Sequence, residues 1–281
     1  MNIPKKLPKN TIPAKIIAID LDDTLLKDDL SISQNTINIL QKAAEKEIYI
    51  VLCSGRTENA ILPYVRQLDL AGTEFGRYII ASNGAIIADL HTRREIYART
   101  VDPELLIYAY KEASKEGLFC EVYDPATIYT PKDNKWAQVD VKLSGLKMSV
   151  VHDFKSFLRK GHPKMVVPGE PNQILALHNK LKAAIGNKCV IFTSKPYFLE
   201  ILPSNCGKGE SLEWLCMRLN IERDNAVSFG DSMNDESMTR YAKHSVAMTN
   251  GLDTIKTLAS YTTEHTNNND GLALFVEKFI L

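Results

Sequence analysis

The sequence predicts a doubly wound α/β fold, a Rossmann-like parallel sheet core, interrupted by an inserted α+β domain. Three observations carry this. Short, β-branched apolar runs alternate with stretches of helical periodicity towards both ends of the chain. Several of these runs stop at clusters of polar residues, as strands do when their carboxyl ends open onto a ligand crevice. Between residues 89 and 199 the alternation gives way to shorter strand-like pieces. The chain of 281 residues, 44% of them hydrophobic, has enough apolar material for a sizeable core and excludes wholesale disorder.

Taken in order, Lys15–Leu21 (KIIAIDL) reads as a buried parallel strand. Ser33 is placed to cap the next helix, in which Ile37, Leu40 and Ala44 recur at helical spacing. Ile48–Cys53 is a second strand, followed by Ser54-Gly55-Arg56-Thr57 and another helical stretch. Tyr78–Ala81 is a third, ending at the turn signal Ser82-Asn83-Gly84. Within the insertion, strand-like pieces at Glu121–Thr130, Met165–Val167, Lys188–Thr193 and Phe198–Ile201 are separated by helical stretches at Pro103–Glu116, His152–Arg159 and Ile174–Ile185. The first rhythm then resumes with a helix near Gly209–Leu219, a strand at Ala226–Phe229, a helix near Asp235–Lys243 and a strand at Ser245–Met248. The expected division is a core of residues 1–88 and 200–281 and an inserted domain of residues 89–199.

Composition removes several functions. The 34 basic and 34 acidic side chains cancel and form no long run of one sign, which argues against a general grip on nucleic acid or anionic membrane. No apolar stretch approaches the roughly 20 residues that span a bilayer. Behind Lys5, Lys6 and Lys9, the run Ile16–Ile19 is too short for a signal-peptide core. Five scattered cysteines without a CxxC pair read as reduced thiols, and the expected compartment is the cytoplasm. The six histidines lack metal-ligand spacing.

The chemistry is expected where the strands end. Asp20 and Asp22 are two residues apart, so on an extended strand their side chains share a face. Two carboxylates so close need a cation or a shared proton. Asp231 and Asp235 add two acids from a distant segment, and an all-oxygen set suits Mg²⁺. The Ser54 hydroxyl and the Gly55 N–H form a phosphate cradle, and Lys208, between Gly207 and Gly209, supplies positive charge against the phosphate. Each segment alone also reads as something ordinary: turn and cap residues at Asp20 and Asp22, a strand-to-helix turn at Ser54, an exposed loop at Lys208, an acid-rich helix start at Gly230–Asp235. All four falling in order at strand ends favours phosphoryl transfer.

These segments, Asp20-Leu21-Asp22-Asp23-Thr24-Leu25-Leu26, Ser54-Gly55-Arg56, Gly207-Lys208-Gly209 and Gly230-Asp231-Ser232-Met233-Asn234-Asp235, resemble the four ordered motifs of haloacid dehalogenase-like phosphatases. The insertion between the second and third, with Ser82-Asn83-Gly84-Ala85, Val246-Ala247-Met248 and Asn269-Asp270-Gly271, resembles the Cof-like branch, whose cap domain sits there. The resemblance implies an aspartyl-phosphate mechanism with Asp20 as nucleophile and Asp22 as general acid, then base. It implies Mg²⁺ held by the Asp20 carboxylate, the Asp22 carbonyl and the Asp231 side chain, with Asp235 supporting the metal from behind. Ser54, Gly55, Lys208 and Asn234 would hold the phosphoryl group. Asp23 departs from the pattern, standing where Gly is commonest. The activity expected is hydrolysis of small phosphorylated metabolites such as sugar phosphates, with selectivity set by the cap. The alternatives are a phosphomutase, a phosphatase dedicated to one sugar phosphate, and a phospho-ligand sensor without catalysis.

Overall fold

The structure, a computed structural model, describes residues 6–281, so Lys5 lies outside it. The chain divides into two compact units. The first comprises the chain up to Gly55, Ile61–Ile96 and Gly207–Leu281; the second comprises Arg56–Ala60 and Tyr97–Cys206.

In the first unit the amino-terminal part contributes β1 (Ile16–Asp20), α1 (Gln34–Glu45), β2 (Tyr49–Cys53), most of α2 (Glu58–Leu68), β3 (Tyr78–Ala81), β4 (Ile86–Asp89) and β5 (Arg94–Ala98). In the second unit follow α3 (Pro103–Lys115), β6 (Glu121–Tyr123), β7 (Thr127–Thr130), α4 (Lys135–Ser144), β8 (Lys147–Val150), α5 (Phe154–Phe157), β9 (Met165–Pro168), α6 (Pro171–Ile185), β10 (Cys189–Lys195) and β11 (Phe198–Pro203). The first unit is completed by α7 (Lys208–Arg218), β12 (Ala226–Gly230), α8 (Glu236–Tyr241), β13 (His244–Ala247), α9 (Asp253–Leu258), β14 (Tyr261–Thr262) and α10 (Gly271–Phe279).

The sheet of the first unit has eight strands in the order β14-β13-β12-β1-β2-β3-β4-β5. From β14 to β3 neighbouring strands are parallel, and β4 returns antiparallel to β3. The order reverses direction at β1, from which the chain first runs outward to β5 and later returns beside β1 as β12. At such a switch point the carboxyl ends of neighbouring strands leave a crevice. In register Ile19 stands beside Phe229 and Asp20 beside Cys53, so the segments following β1, β2 and β12 emerge together.

Local sequence accounts for these elements. β1 is IIAID, buried at every position, as a central strand covered on both faces must be. The Ser33 hydroxyl accepts the Thr36 N–H at 3.0 Å and starts α1 as expected. Ile39, Leu40, Ala43 and Ala44 are buried along one stripe of that helix.

Two boundaries differ from expectation, and Arg56–Ala60, expected in the core, falls in the second unit. The units divide after Ile96 and before Gly207, later than 88/89 and 199/200. The β3–β4 hairpin and β5 extend the first sheet beyond residue 88, which also makes that sheet mixed at one edge. At the other boundary β11 runs on to Pro203.

The second unit is a six-stranded sheet ordered β10-β11-β9-β6-β7-β8, antiparallel except for β7 with β8. Its larger core is built from Leu106, Ile107, Phe154, Ile174, Leu177 and Leu181 among others. The piece expected as one strand at Glu121–Thr130 is a hairpin. Asp124 breaks it, its carboxylate accepting the N–H groups of Ala126 and Thr127 at 2.8 Å each. All five cysteines are buried and free. Among the described residues no helix is long and apolar enough to cross a membrane.

Candidate active site

Asp20 is the last residue of β1, and its side chain is 4% exposed. The chain then makes one wide turn over Leu21–Leu25, closed by the Leu26 N–H donating to the Leu21 carbonyl at 2.9 Å. The expectation that Asp20 and Asp22 share a face of one extended strand is therefore not met. The strand has ended, and Asp22 is placed by the turn, half-buried, at φ −69° and ψ 129°. Asp23 follows at φ 60° and ψ 6° and is exposed. This left-handed conformation is the physical reason for Gly at such a position, and Asp is among the few side chains that tolerate it. The Asp23 carbonyl accepts the Asn250 side-chain N–H at 2.8 Å, which fixes the turn from outside. Thr24 points back inside, its hydroxyl donating to Asp231 Oδ1 at 3.2 Å.

Lys208 is the first residue of α7 and fully buried, not an exposed loop lysine. Its Nζ donates to Asp20 Oδ1 and, at 2.6 Å, to Asp235 Oδ1. The other oxygen of Asp235 accepts the N–H groups of Asp231 and Ser232 at 2.9 and 3.1 Å. Both Asp235 oxygens are thus engaged by the chain, and the carboxylate braces Lys208 against the turn after β12. Gly230 must be Gly here, because a Cβ would stand 2.6 Å from Asp235 Cβ.

The electrostatics follow from burial. Oxygens of Asp20, Asp231 and Asp235 lie within 4.8 Å of one another. Burial, and then the Asp235 charge, raise the Asp20 carboxyl well above the usual carboxylate range, against the pull of Lys208. Burial and Asp235 likewise push Asp231 up to about 7. Burial opposes the charge of Lys208, but Asp20 and Asp235 override it and hold the ammonium above its ordinary value. Ionised together, the three carboxylates would outnumber the one ammonium by two negative charges. An all-oxygen donor set carrying that excess fits one hard divalent cation.

Ser54 and Gly55 leave the end of β2 ahead of α2. The Ser54 N–H donates to the Ile80 carbonyl, and its own carbonyl accepts the Asn83 N–H, both at 2.9 Å. Asn234, in the turn before α8, donates from its side chain to Asn83 Oδ1 at 3.2 Å and accepts the Ser232 hydroxyl at 2.6 Å. All eight expected residues, Asp20, Asp22, Ser54, Gly55, Lys208, Asp231, Asn234 and Asp235, lie in the first unit, at the end of β1, on segments that follow its strands or at the start of α7. Roles for Thr24, Asn83 and Asn250 were not read from the sequence. Only the turn signal at Ser82-Asn83-Gly84 hinted at one of them.

Residues 17–276 match the family described as haloacid dehalogenase-like hydrolase. The chain belongs to that family. Its curated relatives are named as phosphatases. The 5-amino-6-(5-phospho-D-ribitylamino)uracil phosphatase YwtE of Bacillus subtilis is 29% identical over 290 residues, covering 95% of this chain and 98% of that protein. The HMP-PP phosphatase of Serratia proteamaculans is 26% identical, with 87% of each chain covered. A solved haloacid dehalogenase-like hydrolase from Bacteroides thetaiotaomicron is 30% identical, covers 94% of this chain and 99% of its own, and superposes with a TM-score of 0.85.

Proposed function

We propose that this hydrolase is a Mg²⁺-dependent phosphatase of small phosphorylated metabolites, sugar phosphates among them, that works through an aspartyl-phosphate on Asp20. The observation that carries the reading is the buried Asp20 carboxylate at the end of a central strand, paired with Lys208 and set beside Asp231. A nucleophile there is already desolvated and oriented. Asp20 attacks phosphorus as the ester P–O bond breaks, and Asp22 gives its proton to the departing oxygen. Asp22 then takes a proton from water, whose oxygen attacks the same phosphorus and frees Asp20 and inorganic phosphate. Ser54, Gly55, Lys208 and Asn234 hold the phosphoryl oxygens throughout.

Mg²⁺ would be held by the Asp20 and Asp231 carboxylates and the Asp22 carbonyl, and when bound it supplies charge to offset the phosphate dianion. Asp235 is occupied by Lys208 and two N–H groups, which supports its role as a brace. The relatives above are named for HMP-PP and for a phosphorylated ribitylaminouracil, which supports a small metabolite as substrate. The second unit would select among such metabolites.

The test is hydrolysis of p-nitrophenyl phosphate by the full chain. Turnover should vanish in excess chelator, return with Mg²⁺, and fall by more than about 10⁴ in Asp20→Asn with unchanged circular dichroism. Activity in excess chelator would overturn the metal assignment, and near wild-type turnover of Asp20→Asn would overturn the nucleophile.

A further inference from the structure

The turn Ser82–Gly84 after β3 belongs to none of the four segments above, yet it meets three of them. Asn83 is 2% exposed and sits at φ 54° and ψ 34°, a left-handed conformation that Asn tolerates better than most residues. Its N–H donates to the Ser54 carbonyl at 2.9 Å. Its side-chain amide packs onto Gly55, where a Cβ would stand 3.0 Å from both amide atoms, so Gly55 is what admits it. Next in the chain, Gly84, at φ 93°, leaves no room for a Cβ, which would overlap the Gly207 carbonyl oxygen, and accepts the Ser211 hydroxyl through its own carbonyl. Lys208 is thereby held from the same turn.

The side chain of Asn83 has a more specific partner. Asn234 carries one amide oxygen and two N–H donors. The oxygen accepts the Ser232 hydroxyl at 2.6 Å, and one N–H is given to Asn83 Oδ1 at 3.2 Å. With the oxygen and one donor committed, the orientation of the amide is fixed and one N–H remains for a ligand. We propose that Asn83 is a positioning residue that locks the Asn234 amide so that its second N–H meets the phosphoryl group. This rests on the reading of Asn234 as a phosphate-binding residue. The same side chain links the Ser54-Gly55 cradle to Asn234, so the two phosphate-binding segments share one register. An aspartate at position 83 would keep the acceptor but place a charge where a dianion must bind.

The test uses Asn83→Gly, which keeps the left-handed backbone and removes the amide. In the ¹⁵N-labelled full chain, the Asn234 side-chain amide signal, assigned by its absence from Asn234→Ala, should shift in Asn83→Gly. With Mg²⁺ saturating, KM for p-nitrophenyl phosphate should rise about tenfold or more, the scale of a lost hydrogen bond to a charged group, with a smaller fall in kcat. In the Asn234→Ala background the same substitution should add less than about twofold, because the two act as one unit. Independent, multiplying losses or an unmoved Asn234 signal would overturn the role of Asn83 while leaving the phosphatase reading intact. No hydrolysis by the unaltered chain would overturn the phosphatase reading itself, and this role with it. Should Asn83→Gly not fold, Asn83→Asp carries the test. It retains the acceptor, so the Asn234 signal should persist while KM rises, and loss of that signal overturns the proposal.

Discussion

Asp23 shows how one residue can break a sequence pattern without breaking the geometry behind it. Its φ of 60° is the conformation that favours Gly, and its exposed carboxylate adds to the negative charge felt by Asp231. Asp23→Gly therefore acts in two opposed ways on stability. It relieves left-handed strain of about 1 kcal/mol but frees the unfolded chain by a similar amount. The melting midpoint should move by only a few degrees, the net change staying within about 1 kcal/mol. The electrostatic consequence is directional. Asp231 is held at about 7 by burial first and Asp235 second, and removing Asp23 takes away a further upward push. A ¹³C titration of the Asp231 carboxyl in the metal-free protein should give a lower midpoint in Asp23→Gly, and an unchanged or higher one would refute the account. Asp23→Val, by contrast, forces a β-branched side chain into φ 60° and should destabilise by about 2 kcal/mol or more.

At the scale of the element, the hairpin of β3 and β4 has its own clamp. Arg77 precedes β3 and Asp89 ends β4, and two parallel hydrogen bonds of 3.0 and 2.7 Å join guanidinium to carboxylate. Asp89 also accepts the His91 and Thr92 N–H groups at 3.0 and 3.3 Å. The Arg77 hydrogen bonds, more than any other cause, hold the Asp89 carboxyl far below its usual range. A carboxyl depressed in the folded state binds fewer protons folded than unfolded. Its contribution is complete above the unfolded value near 3.9 and is lost as pH falls below it towards the folded value. Asp89→Asn should cost about 1–2 kcal/mol at pH 7, since it takes the charge from two hydrogen bonds to a half-buried guanidinium that keeps only the more exposed Glu74 as an ionic partner. The deficit relative to the parent should shrink as pH is lowered from about 4 to 2. Urea unfolding across that range checks it, and a deficit independent of pH would show that packing, not charge, is what Asp89 provides. The strand that follows the hairpin was hard to read in the sequence. β5 (REIYA) lies at the edge of the sheet with its residues half or fully exposed, so no apolar run marks it, and the exposed β8 (KMSV) escaped for the same reason. The central β1, β2, β3 and β12 were legible because burial on both faces forces continuous apolar runs.

For the whole molecule, the same contrast separates what was legible from what was not. Asp20 and Asp231 could be found because chemistry restricts residue types at strand ends, and Lys208 because it stands between two glycines at a helix start. Asn83 could not be assigned a role, because its partners lie 29 residues before it and 151 after, and only the folded sheet brings them together. The division into units has a testable consequence of its own. The second unit leaves the first after Ile96 and rejoins it at Gly207, and within that unit Arg99 near its start donates to the Ser204 carbonyl near its end at 3.5 Å. Its two ends are therefore adjacent, and a short Gly/Ser linker from Ile96 to Gly207 can close the gap. The first unit keeps its own sheet and every residue assigned to phosphoryl transfer. Excision of Tyr97–Cys206 should leave a cooperatively folding chain that still hydrolyses p-nitrophenyl phosphate in Mg²⁺. It should no longer discriminate among sugar and heterocycle-bearing phosphates, because it retains groups for the phosphoryl moiety and, of the second unit, only Arg56–Ala60. The measurement is kcat/KM across a panel of phosphate monoesters for the full and excised chains, with a thermal melt to establish folding. The spread across the panel should collapse to within about tenfold, the range left when only the common phosphoryl group is recognised. A folded excised chain that preserves the full chain's ranking of substrates would place selectivity in the first unit instead.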